Sequence, residues 1–230
     1  MKTIGMIGGM SWESTANYYR EINQKVSGQL GGFHSAKIAM MSVDFAEIEA
    51  LQRSGDWLKT AEILSQSARS LESAGADFVM ICTNTMHKVF EQVEESVEVP
   101  LLHIADATAE VLMRDGIEKV GLLGTAFTME QDFYKGRLKD KYGIDVLVPN
   151  GVQRKLVHDV IYQELVHGKV NPRSKNDFLV IIGDLFEAGA QAVILGCTEI
   201  AMLVQQENTH VPLYDTTELH AQAAVDTALD

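Results

Sequence analysis

The sequence carries only two cysteines in 230 residues, Cys82 and Cys197, far apart and with no CxxC pairing. The opening MKTIGMIGGM is too short and glycine-broken for a signal peptide's apolar core and reads as a buried strand. A disulfide is therefore not expected, and a reduced, cytoplasmic setting is. With neither CxxC nor HxxxH, no metal site is expected. No apolar run approaches the ~18–20 residues of a membrane span. Basic side chains are scarce, 19 Lys and Arg against 32 Asp and Glu, for a net charge of −13. Such a surface repels nucleic acid and anionic membranes, so neither is expected as a partner. Nucleotide-binding glycine loops are missing as well. IGMIGGMS is not GxGxxG, and no GxxxxGK[ST] occurs.

What is present is alternation. Short apolar runs at 3–8, 37–43, 77–82, 119–124, 145–149 and 191–196 read as strands. Apolar on both faces, they suit parallel sheets covered by helices. Between them, residues 11–26, 55–75, 128–143 and 174–189 show helical spacing, with polar starts and glycine stops. The fold class is α/β. The ten methionines, Met40 and Met41 among them, read as core filler.

The chain is also written twice. Ile4-Gly5-Met6-Ile7-Gly8 recurs as Val120-Gly121-Leu122-Leu123-Gly124, an offset of 116. Gly75-Ala76 recurs as Gly189-Ala190 at 114, and Val99-Pro100-Leu101 as Val211-Pro212-Leu213 at 112. Three ordered matches at nearly constant offset predict two pseudo-symmetric lobes, each a mainly parallel sheet flanked by helices. We place the first at 1–103, completed by 212–230, and the second at 104–211. Ligands of such sheets bind at the carboxyl ends of the strands. The site is therefore expected in a cleft between facing lobes.

Counting from the Gly-Ala pairs aligns Thr83 with Cys197 and Cys82 with Gly196. Successive strand residues point to opposite faces. Cys82 is thus expected in the core, where free cysteine is often a small apolar residue. Cys197 ends a strand, with Thr198-Glu199 opening the next helix. A helix N-terminus favours a thiolate, while Glu199, if close, opposes it.

Three motifs, IGMIGGMS, CTNTMH and LGCTEI, together resemble the aspartate/glutamate racemase family of cofactor-independent amino-acid racemases over the full chain. That resemblance implies two α/β lobes around one site, no cofactor, a small amino-acid substrate and a homodimer. Typical members carry a cysteine in each lobe. Cys197 matches the second, and the first falls on Thr83. CTE in place of CTH brings the match nearer the aspartate and broad-specificity branch, where a Thr/Cys pair resembles glutamate-specific or broad-range enzymes.

The expected chemistry is two-base inversion at the α-carbon, with no Schiff base. Cys197 is a credible base, its pKa lying within a few units of neutrality. Thr83 is a poor one that can donate or relay a proton. In the family the second cysteine serves the L-substrate, so L-to-D is the expected fast direction. Asn84, Thr85, Thr125 and Thr198 at strand ends could stabilise the enediolate. The main chain up to Met10 and Ser11 could hold a carboxylate, and Ser11 and Thr125 could equally cap helices. Family resemblance puts distal substrate contacts in 42–55 and 160–169, where Gln52, Arg53, Glu164 and Lys169 are candidates. Glutamate, homoserine or several neutral amino acids remain open substrates. His87 reads as a backbone-bonded helix residue. Hydantoin racemase, maleate isomerase and malonate decarboxylase share the two-lobe, two-cysteine logic, which Thr83 breaks. A non-catalytic amino-acid or dicarboxylate binding protein is the rival from another class, against which the strand-end thiol argues.

Overall fold

The computed structural model describes residues 1–230. The chain divides into two compact units, Met1–Ile104 with His220–Asp230, and Ala105–Leu219. The segment 212–219, grouped above with the first lobe, lies in the second unit, because its strand pairs there. The return to the first unit begins at His220. No helix is long and apolar enough to cross a membrane.

In the first unit, β1 (Thr3–Gly8), β2 (Lys37–Ser42), β3 (Phe78–Ile81) and β4 (Leu101–Leu102) form a parallel sheet in the order β2-β1-β3-β4. The inner strands β1 and β3 are buried on both faces apart from Thr3, as continuous apolar sequence requires. Ile7, Val79 and Ile81 face α2 (Phe45–Ser54), α3 (Trp57–Ser73) and α4 (Phe90–Glu94). Ile4, Met6, Phe78, Met80 and Cys82 face α1 (Trp12–Leu30) and α11 (Thr216–Leu229). Each fully buried side chain of this size contributes about 1.5–3 kcal/mol of transfer free energy. Met40 and Met41 are not core filler. They are 41% and 39% exposed, because β2 is an edge strand with a neighbour on one side only.

The second unit repeats the plan. Its strands β5 (Lys119–Gly124), β6 (Asp145–Leu147), β7 (Ala192–Gly196) and β8 (Leu213–Asp215) run parallel in the order β6-β5-β7-β8. The registers also repeat. Gly5 pairs with Val79 and Val79 with Leu101, while Gly121 pairs with Val193 and Val193 with Leu213. These pairs stand at the 116, 114 and 112 offsets read from the sequence, so the duplication extends to strand pairing. Val193, Leu195 and Cys197 face α8 (Gly151–Gln163) and α9 (Pro172–Glu187). One predicted helix, 128–143, is broken. It splits into α6 (Ala126–Glu130) and α7 (Asp132–Tyr142) at Gln131, whose backbone is extended at φ −95° and ψ 158°. The remaining α-helices are α5 (Ile104–Arg114) and the four-residue α10 (Ile200–Leu203).

Candidate active site

The chemistry-bearing side chains gather at the carboxyl ends of the two inner strands of each sheet, where parallel α/β sheets bind ligands. In the first unit, β1 runs into Met10 and Ser11, and β3 into Thr83, Asn84 and Thr85. In the second, β5 runs into Thr125, and β7 into Cys197, Thr198 and Glu199. The two β1- and β5-type ends are built alike. Gly8 and Gly124 leave room for a threonine of the next helix, since a Cβ there would lie 2.3 Å from Thr15 Cγ2 or 3.1 Å from Thr128 Cβ. Ser11 Oγ accepts from Ser14 N, and Thr125 Oγ1 from Thr128 N, both at 3.3 Å. Both residues are therefore helix caps, each worth about 1 kcal/mol.

Cys82 is fully buried between the sheet and α1, and burial drives its thiol pKa far up. At the matching position of the second unit stands Gly196, where a Cβ would approach Leu122 Cδ1 and the Leu123 carbonyl oxygen to 2.8 Å. The next residues, Thr83 and Cys197, follow β3 and β7 at the same register. Thr83 is half-buried, and its N–H donates to the Ile81 carbonyl at 2.9 Å.

Cys197 is 8% exposed. Its Sγ–H donates to Glu199 Oε2 at 3.0 Å, and Thr198 Oγ1 donates to the same oxygen at 2.7 Å. Burial first, then the adjacent carboxylate, hold the thiol pKa well above its ordinary value. The sequence set a helix N-terminus, favouring the thiolate, against Glu199, opposing it if close. The structure tips that balance to Glu199, because α10 begins three residues later and spans one turn, while Glu199 is in direct contact. The thiol is thus protonated at rest, with a carboxylate placed to receive its proton.

The distal candidates separate by placement. Gln52 is 5% exposed and its Nε2 donates to Met86 Sδ at 3.7 Å, in the 3-10 turn Thr85–Val89 that follows Thr83. Arg53, next in the chain, points outward and pairs with Glu49 at 3.1 Å. Glu164 Oε2 accepts from Ser174 Oγ at 2.8 Å and Oε1 from Asn171 Nδ2 at 3.4 Å, tying the end of α8 to the start of α9. Lys169 is exposed. The structure therefore brings Gln52 to the Thr83 turn and leaves Arg53 and Lys169 on the surface.

Two further groups escaped the sequence reading. His158 of α8 accepts from Ala126 N at 3.1 Å, directly beside Thr125, and burial lowers its pKa. Nothing in an isolated helical histidine signals that contact. Asp215 closes β8, pairs in register with Leu195, and has its carboxyl raised to about 6 by burial; its charge also disfavours the Cys197 thiolate. Aligning VPLYD with VPLLH marks this position as a polar strand end. No cluster of three or more His, Cys, Asp or Glu is arranged to hold a metal ion.

A family model described as Asp/Glu/hydantoin racemase matches residues 7–224. The chain belongs to that family. It is 23% identical over 98% of both chains to the broad specificity amino-acid racemase of Bacillus subtilis. Among solved structures, a candidate Asp/Glu racemase from Yersinia pestis is 53% identical with a TM-score of 0.94, each chain covering 100% of the other. An aspartate racemase homologue from Pyrococcus horikoshii is 34% identical with a TM-score of 0.86, again over 100% of both chains.

Proposed function

We propose that the protein racemises a free amino acid without a cofactor, by two-base proton transfer involving Cys197 and Thr83. The observation that carries this reading is the placement of Thr83 and Cys197 at the same strand-end position of two sheets with the same strand order and register. Cys197 passes its proton to Glu199 and, as thiolate, removes the α-proton of the L-substrate. Thr83, directly or through a water, supplies a proton to the opposite face of the α-carbon. Asn84, Thr85 and Thr198, with the capped turns at Met10–Ser11 and Thr125, offer donors for the carboxylate as it becomes an enediolate. Fixed donors of this kind are usually the largest catalytic contribution.

The substrate class is glutamate or a broad range that includes homoserine. The buried distal candidate, Gln52, is a neutral amide, and the nearby cation Arg53 faces outward. That pairing tolerates uncharged side chains better than a guanidinium would. A threonine hydroxyl is a far weaker acid than a thiol, so L-to-D turnover is the faster direction, with the equilibrium constant unchanged. The protein works as a homodimer in this reading.

The test is α-proton exchange in D2O followed by NMR, with L- and D-glutamate and L-homoserine and no added cofactor. Wild type exchanges the L-enantiomers, and Cys197→Ala loses that exchange. Saturable binding with no exchange in wild type would instead favour a non-catalytic binding protein.

A further inference from the structure

We propose that His87 is a positioning residue that holds Thr83 in the orientation needed to return the proton, an inference that rests on the racemase reading above. His87 lies in the Thr85–Val89 turn and is 3% exposed. Its Nδ1 stands 2.8 Å from the Thr83 carbonyl oxygen, and the N–H of Ile104 donates to its Nε2 at 3.1 Å. A carbonyl only accepts, and an amide N–H only donates. The ring is therefore the neutral Nδ1–H tautomer with both nitrogens engaged. It ties Thr83, two residues past β3, to the junction between β4 and α5.

That junction is itself anchored. His220 Nε2–H donates to the Leu102 carbonyl at 3.0 Å, and its Nδ1 accepts from Tyr18 Oη–H at 3.1 Å. His87 also stacks on Phe90, at 5.7 Å between centroids and 11° between planes, and packs 4.5 Å from His103. The ring thus has little room to turn, and the Thr83 carbonyl is bound to a fixed point. Thr83 N–H is held by Ile81, so both polar groups of its backbone are committed. Its Cα–Cβ direction follows from them.

The second unit solves the problem differently. The position matching His87 is Ala201, and Cys197 is instead held through its own side chain by Glu199. A strong base can be oriented through its reactive atom. A weak one such as Thr83 gains from a backbone clamp that leaves the hydroxyl to the substrate.

The experiment partitions one carbanion. With L-glutamate in D2O, Cys197 takes the α-proton, and a deuteron then adds at the same face, giving deuterated L-glutamate, or at the opposite face, giving deuterated D-glutamate. His87→Gln places an amide oxygen where Nε2 was, keeping the acceptor for Ile104 and losing the donor to Thr83. His87→Asn places an amide N–H where Nδ1 was and keeps that donor. We expect His87→Gln to lower the D-to-L product ratio by about tenfold or more, since small misplacements of a reacting group are costly, and His87→Asn to stay within about twofold of wild type. Circular dichroism melts establish that both variants fold. An unchanged ratio in folded His87→Gln overturns the proposal. Equal loss of ratio in both variants overturns it too, leaving a packing role. Absence of exchange in wild type would sink the racemase reading itself.

Discussion

Glu199 Oε2 accepts the Cys197 thiol proton at 3.0 Å, so the carboxylate that suppresses the thiolate is also the group placed to create it. The two effects separate in Glu199→Gln. Removing the negative charge moves thiolate formation to lower pH, while removing the proton acceptor slows turnover by about 100-fold. Alkylation by iodoacetamide as a function of pH reads the first, and L-glutamate exchange reads the second. Cys82, fully buried, does not compete for the reagent. An alkylation profile moving to higher pH would contradict this arrangement.

In the proposed mechanism Thr83 sets the asymmetry between directions. Thr83→Cys places a thiol at both strand ends and should raise D-to-L exchange about tenfold or more, because a thiol sits far nearer the working pH than an aliphatic hydroxyl. L-to-D exchange changes less. Deuterium uptake from D-glutamate is the measurement, and no gain would mean that Thr83 does not face the substrate.

Gln52 and Arg53 are neighbours with opposite fates. Gln52→Ala should raise KM for L-glutamate several-fold, about 1 kcal/mol of lost contact, whereas Arg53→Ala should leave KM unchanged. Arg53 belongs to a solvent-exposed i,i+4 pair with Glu49, and such pairs are worth about 0.3–0.5 kcal/mol to a helix. Steady-state kinetics of the two variants decide between them.

Stability should fall in mild acid because of His220. Burial pushes its pKa down to about 4, with the Leu102 carbonyl opposing. Between about 6.5, the ordinary histidine value, and 4, the unfolded chain binds a proton that the folded chain does not. The contribution is therefore complete above the unfolded pKa and lost as pH falls. Asp215 works the other way, since its carboxyl is raised to about 6 and the folded state gains the extra proton as pH falls through that value. His220→Gln removes only the first effect. Between pH 7 and pH 5, wild type should lose about 2 kcal/mol more than the variant in urea unfolding. Equal losses would show that the ring is not held neutral.

Gly196→Ala should destabilise the second unit by about 1–3 kcal/mol through overpacking. Its Cβ meets a backbone oxygen, Leu123 O, at 2.8 Å, and backbone cannot swing aside as a side-chain tip can. Thermal unfolding measures the cost. The result bears on the repeat, because the matching position in the first unit holds a side chain, the buried Cys82.

The first inner strand of each unit was legible residue for residue, and the second to within one residue at an end. TIGMIG and KVGLLG are β1 and β5 with the same ends, since a strand buried on both faces must be apolar throughout and glycine marks where it stops. The alternation of side chains along β3 likewise assigned Cys82 to the core and Thr83 to the opposite face. These are local properties of consecutive residues, and the duplicated sequence checked each against its counterpart. What lies across the chain was not legible. Gln52 reaches Met86, His87 reaches Ile104 and His158 reaches Ala126, contacts set by how helices pack on a sheet. The pKa of Cys197 belongs to the same class. Sequence placed the thiol at a strand end, but burial and the rotamer of Glu199 decided that it rests protonated, because desolvation and a contact of 3.0 Å outweigh the dipole of a one-turn helix.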